Sequence, residues 1–273
     1  MDNRFDRDTA LTPTGPGRFR VEVNRGWWII RGPNGGYLAA ILAKAAAATI
    51  DDSGRPLRSL TIHFLRPPQE GPAEVEAVVE RAGRTVTTVS VRLVQNGKVQ
   101  AIATAAHAVP REMPGFVHAV MPDVPPPSAC APRVRPAIEG GPTLHERYDQ
   151  RFTIGPMPFS DEPRTHEART GGWIRLAESR PWDAAEIAAI SDAWPPAVFA
   201  SKDMPETSGG VPTVDLTVHL LNPDALAALA PDAFVLVDFT TRAVQGGYLE
   251  EDGEIWSEDG VLLAQARQVG VVI

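Results

Sequence analysis

The stretch Leu60–Pro67, LTIHFLRP, returns late in the chain as Leu216–Pro223, LTVHLLNP. Five of the eight positions are identical and two more exchange one apolar residue for another. The flanks repeat as well. Ahead of the first copy, Phe19, Val21 and Val23 alternate with polar neighbours over 17–23, which predicts a strand. Next comes RGPNGGYLAAILAKAAAATI, where Asn34 is placed to cap a helix and Tyr37 to Ile50 carries one charge, Lys44. A helix apolar on every side, yet too short for a bilayer, has to be wrapped by protein. Strands are predicted at 57–65, 72–81, 85–95 and 98–108, with Asn96-Gly97 as the hairpin turn between the last two. After residue 142 the order restarts. Strands are predicted at about 146–154 and 171–178. A helix follows in DAAEIAAISDAWPPAVFA, with Asp183 and Glu186 at capping-box spacing. The second copy of the opening stretch comes next, then strands at 234–242, 247–257 and 261–272. Asp259-Gly260 stands where Asn96-Gly97 stood. The chain thus reads as one unit, strand, apolar helix and four antiparallel strands, written twice.

Between the copies the composition changes. Residues 109–142 hold nine of the chain's 26 prolines, which blocks helix and central strand and predicts a semi-extended surface linker. The implied organisation is an N-terminal unit at 1–109, a Pro-rich linker at 110–142 and a C-terminal unit at 143–273. A long helix inside a curled antiparallel sheet is the α+β hotdog fold. One such unit leaves a flank of sheet and helix uncovered, so two in tandem, a double hotdog, make the pairing intramolecular.

Composition sets further bounds. The chain has 273 residues, 43% hydrophobic and 22% charged, as expected for a globular protein with a sizeable core. No apolar run approaches the roughly 20 residues that span a bilayer, and MDNRFDRDTALTP lacks the apolar region of a secretion signal. A single cysteine, Cys130, allows neither an internal disulfide nor a thiolate metal cage. These features favour the cytoplasm, without membrane insertion. A net charge of -8 and the lack of a basic stripe argue against nucleic acid, but leave room for an anionic small ligand.

Several short motifs carry a resemblance to the acyl-CoA thioesterase II family. They are Ile190-Ser191-Asp192 late in the second helix, Thr213-Val214-Asp215 at a strand entry and Gln268-Val269-Gly270 in the last strand. In the first half, Asn34-Gly35-Gly36 and Phe64-Leu65-Arg66-Pro67 resemble the family's helix start and strand end. The resemblance spans roughly 17–272, apart from the linker. It implies hydrolysis of acyl-CoA to a free acid and coenzyme A by a water that Asp192, Thr213 and Gln268 hold and activate. No metal or organic cofactor is implied, and a homodimer of double hotdogs is expected. The chemistry is coherent, because a carboxylate can take a proton from water and becomes more basic when buried. A hydroxyl and an amide can fix the water's orientation. Asn34, Gly35 and Gly36 would bind substrate, the glycines letting a thioester approach backbone N–H groups at the helix start. An apolar tunnel for the acyl chain is expected along YLAAILAKAA. In the first copy Leu57 and Ala105 fall opposite Thr213 and Gln268, so one competent site per chain is expected.

The sequence departs from the family at Tyr37, where a Gln is usual, and at Val269, where a Glu is usual. Two other readings stand beside hydrolysis: an acyl-CoA-binding module without turnover, and a hotdog enoyl-CoA hydratase or dehydratase. The latter would carry a His on the central helix, and neither predicted helix has one. His63 and His219 occupy the same place in the repeated strands, which indicates an inherited structural role. Trp27 and Trp28 are expected in the core, and Cys130, among prolines, has no expected role.

Overall fold

A computed structural model describes residues 3–29, 32–133, 143–158, 160–204 and 210–273. The first half contains α1 (Arg4–Asp8), β1 (Thr12–Gly15), β2 (Arg18–Val23), α2 (Gly35–Ile50), β3 (Leu57–Phe64), β4 (Gly71–Ala82), β5 (Val86–Gln95) and β6 (Lys98–Ala108). The second contains β7 (Tyr148–Ile154), β8 (Ala168–Leu176), α3 (Ala184–Ile190), β9 (Thr213–Leu220), α4 (Pro223–Ala227), β10 (Val235–Thr241), β11 (Val244–Gln245), β12 (Tyr248–Ser257) and β13 (Leu262–Val271).

All thirteen strands found among the described residues join one sheet, in the order β1-β2-β4-β5-β6-β3-β9-β13-β12-β10-β8-β7, with β11 beside β12. Read outward from the β3/β9 junction, the two halves repeat the same connectivity. The junction is made by the repeated stretches themselves. They pair antiparallel, with Ser59 opposite His219, Thr61 opposite Thr217 and His63 opposite Asp215. Thr61 and Thr217 are equivalent in the repeat, and their hydroxyls meet at 3.1 Å. A pseudo-twofold axis therefore passes between them, and the arrangement is the double hotdog that the repeat predicts.

The two apolar helices, α2 and α3, lie inside this sheet. Asn34 caps α2 by accepting from the Tyr37 N–H at 3.1 Å. Tyr37, Ala39 to Leu42, Ala45 and Ala46 have no exposed surface. The alanines let β3 to β6 close tightly around the helix. The run expected to line an acyl tunnel is therefore close-packed core. Trp27 and Trp28 are buried as expected, Trp27 stacked on Tyr37 at 5.2 Å.

The second helix is shorter than its apolar run suggests. It was expected to continue through Asp192 towards Ala200, but ends at Ile190, with Ser191 as C-cap. Pro195 and Pro196 explain this, because proline cannot donate into a helix and biases the preceding residue away from helical geometry. Asp192 thus lies in the turn after α3, and a short 3-10 turn spans Ala197–Ala200.

The linker lies on the surface, as expected, but is fastened there. Its residues from 109 to 126 form neither helix nor strand. Ala119, Met121, Val124 and Cys130 pack on an outer cluster that includes Trp173, Leu236 and Trp256. Trp173 Nε1 donates to the Pro125 carbonyl at 2.8 Å, and the Arg151 guanidinium donates to the Pro127 carbonyl. The expected linker stretch 134–142 lies outside the described residues. Among the described residues, no helix is long and apolar enough to cross a membrane.

Candidate active site

The turn after α3 is held on several sides. Gln150 Nε2, from β7, donates to the Ala193 carbonyl at 2.9 Å. Trp194 donates through Nε1 to Thr170 Oγ1 at 3.1 Å and lies against Phe152, ring centroids 4.3 Å apart. This fixes Asp192, which is half-buried, at the first turn of α2 from the other copy. Asn34 Nδ2 donates to the Asp192 carbonyl oxygen at 2.6 Å and to Oδ2 at 2.8 Å. The Gly36 N–H donates to the same Oδ2 at 3.1 Å.

The glycines make this approach possible. A Cβ on Gly36 would stand 2.2 Å from the Ala189 carbonyl oxygen at the end of α3. A Cβ on Gly35 would stand 2.9 Å from Asp192 Oδ2 and 3.0 Å from the Phe64 ring. The sequence reading gives Asn34, Gly35 and Gly36 a substrate-binding role, with the N–H groups facing an oxyanion. In the structure their contact is Asp192 itself, and the glycines let a second helix end come close.

Burial raises the Asp192 pKa to about 6, against the opposing pull of the Gly36 and Gly35 N–H groups and the Asn34 amide. Few groups other than a half-buried carboxylate with a pKa near 6 combine access to water with useful basicity at neutral pH.

Thr213 and Gln268 are brought together directly. Thr213 Oγ1 donates to Gln268 Oε1 at 2.9 Å. Gln268 faces inward on β13 at 8% exposure, as its place in the strand's apolar face predicts. Its Nε2 donates to Glu251 Oε1 at 2.6 Å, and Glu251 Oε2 accepts from the Ala197 N–H at 2.5 Å. Glu251 is absent from the sequence reading. Burial raises its pKa to about 7, opposed by these two hydrogen bonds and helped by the negative charges of Asp192 and Glu250. Hydrogen bonds thus gather the site residues into two groups, Asp192 with Asn34 and Gly36, and Thr213 with Gln268 and Glu251. The discoverable signal was its position: Leu249, Glu251, Gly253 and Ile255 share the inward face of β12.

The first copy holds no such row. Leu57 and Ala105 occupy the places of Thr213 and Gln268, and Val89 is the cross-strand partner of Ala105, as Glu251 is of Gln268. All three are buried and apolar. His63 and His219 are exposed. Among the described residues, no group of three His, Cys, Asp or Glu side chains is placed to hold a metal ion.

Comparison with known proteins bears on this arrangement. The profile of the acyl-CoA thioesterase N-terminal domain matches residues 24–109, and that of the C-terminal domain matches 124–272. A hotdog-fold protein of unknown function from Alicyclobacillus acidocaldarius is 31% identical, with TM-score 0.90 over 100% of this chain and 99% of that one. A Thermobifida fusca protein proposed as a thioesterase II is also 31% identical, with TM-score 0.84 over 99% and 97% of the two chains. An acyl-CoA thioesterase II, TesB2, from Mycobacterium marinum shares the fold at TM-score 0.76 and 21% identity over 98% of each chain. An uncharacterized protein of Mycobacterium tuberculosis is 24% identical over 100% of this chain and 99% of its own length.

Proposed function

This chain belongs to the acyl-CoA thioesterase family, and from that premise we propose that it hydrolyses acyl-CoA thioesters by a water activated at Asp192, Thr213 and Gln268. The observation that carries the reading is the basic, half-buried Asp192 carboxylate, anchored across the two copies by Asn34 and Gly36. In the proposed reaction the water oxygen bonds to the thioester carbonyl carbon while Asp192 takes the water proton. The tetrahedral intermediate collapses, the carbon–sulfur bond breaks, and the proton passes to the coenzyme A thiolate. Thr213 and Gln268 orient the water, and Asn34, Gly35 and Gly36 hold the base. These steps use only side chains, a water and substrate. The proposal places the protein in the cytoplasm as a homodimer of double hotdogs, with units at 1–109 and 143–273 joined by 110–142. Sedimentation of the purified chain gives its mass.

A panel of acyl-CoAs of different chain length, scored by release of free thiol, tests the reading. A binding module would gain thermal stability from these compounds and release no thiol. The hydratase reading predicts hydration of enoyl-CoA instead, and neither α2 nor α3 supplies a His for it.

The pH profile is a second check. Asp192 must be ionised to accept a proton, so kcat/KM should fall with an acid limb near pH 6 and level off above pH 7 to 8. Activity independent of pH between 5 and 8 would remove Asp192 as base.

A further inference from the structure

Glu251 has no task in the reading above. It faces inward from β12 at 3% exposure, directly across from Gln268. Its two oxygens accept one hydrogen bond each, from the Ala197 N–H and from Gln268 Nε2. The charged groups acting on it are Asp192, from the turn after α3, and Glu250, its neighbour on β12, both acidic. Charge attraction therefore does not account for it, whereas hydrogen-bond direction does.

An amide side chain is asymmetric, donating at one end and accepting at the other. The Ala197 N–H can only donate and an ionised carboxylate can only accept. Gln268 must then turn Nε2 to Glu251 and Oε1 to Thr213, and Thr213 must give its hydroxyl proton to that oxygen. Above about pH 7, where Glu251 is ionised, its carboxylate so sets the direction of the whole row. The Thr213 proton is committed, and a water beside Thr213 can only donate to its oxygen.

We propose that Glu251 is a positioning residue: its carboxylate fixes which end of the Gln268 amide meets Thr213, and through Thr213 fixes how the hydrolytic water is turned. This rests on the reading of Asp192, Thr213 and Gln268 as the hydrolytic group.

Glu251→Gln is a nearly isosteric test. The Ala197 N–H holds the new amide oxygen, so the new NH2 group faces Gln268. Gln268 flips its oxygen towards it and presents NH2 to Thr213, which becomes an acceptor and frees its proton. The same three bonds form with two of them reversed. The variant should keep KM within about twofold and lose on the order of 10²-fold in kcat, the penalty of a misoriented reactant. Its melting temperature should not fall, because a buried charge is removed.

A second readout is independent of turnover. In protein labelled with 15N-glutamine, the Gln268 side-chain amide, identified by its loss in Gln268→Met, should show the downfield proton of a charge-assisted hydrogen bond. That signal should move as Glu251 titrates and be absent from Glu251→Gln. Wild-type kcat in Glu251→Gln together with an unshifted Gln268 amide would overturn the proposal and leave Glu251 a packing residue. If the wild type releases no thiol from any acyl-CoA, the hydrolytic reading fails on its own account. The amide resonance still decides whether Glu251 sets the direction of the row.

Discussion

Asp192→Asn should abolish turnover and raise the melting temperature. A carboxamide has no basicity near pH 6, so the water keeps its proton. The expected fall in kcat is about 10²- to 10⁴-fold, the range attributed to a positioned general base. Stability should move the other way. The folded-state pKa of Asp192 is raised from 3.8 to about 6, so the fold binds that proton more tightly than the unfolded chain does. The protonated side chain therefore favours the fold at low pH, and that contribution is lost as pH rises through about 6. At pH 8 the ionised group opposes folding by about 2–3 kcal/mol. The Asn oxygen can take the place of Oδ2 and accept from Asn34 Nδ2 and the Gly36 N–H. The gain should be roughly 5 °C at pH 8 and should shrink towards pH 5. A variant inactive because it is unfolded would show a lower melting temperature, and a variant as active as the wild type would end Asp192's role.

Gly36→Ala should destabilise the fold strongly and cost activity with it. The new Cβ would lie 2.2 Å from the Ala189 carbonyl oxygen and 2.9 Å from its carbon, both backbone atoms. No rotamer change relieves that clash, so the start of α2 and the end of α3 must separate. Overpacking of this kind costs roughly 3 kcal/mol, or roughly 5 °C in melting temperature for a chain of this size. The same movement breaks the Gly36–Asp192 bond, so activity should fall as well. Gly35→Ala is the instructive contrast. Its Cβ would press on the Asp192 carboxylate and the Phe64 ring, side-chain atoms that can shift, so it should lose activity with a smaller loss of stability. A Gly36→Ala variant that melts with the wild type would mean the two helix ends do not meet as described.

The strand and helix order was legible because alternation, an apolar helix and paired hairpin turns recur in register. That the two recurring strands bond to each other was not legible, since a repeat says what is copied and not which edges meet. The end of α3 was obscured by an apolar run continuing through Ala193 and Trp194, although Pro195-Pro196 gave the warning. Asp192, Thr213 and Gln268 could be singled out by resemblance to a family. Alternation with Leu249 and Ile255 marks Glu251 as inward-facing, but it stands in sequence among Glu250, Asp252 and Glu254, and its pairing with Gln268 shows only in three dimensions. The hold of the linker was equally hidden, because its apolar contacts are scattered among prolines.

The β3/β9 junction has one more consequence. In an assembly of two identical chains, any change to one side of the twofold axis happens on the other side too, and the assembly comes apart on dilution. Joined in one polypeptide, the halves are always at fixed stoichiometry. Mass action cannot separate Asn34 and Gly36 from Asp192. Leu57, Val89 and Ala105 could stay oily while their mates Thr213, Glu251 and Gln268 became polar, so the fused chain can specialise one side without damaging the other.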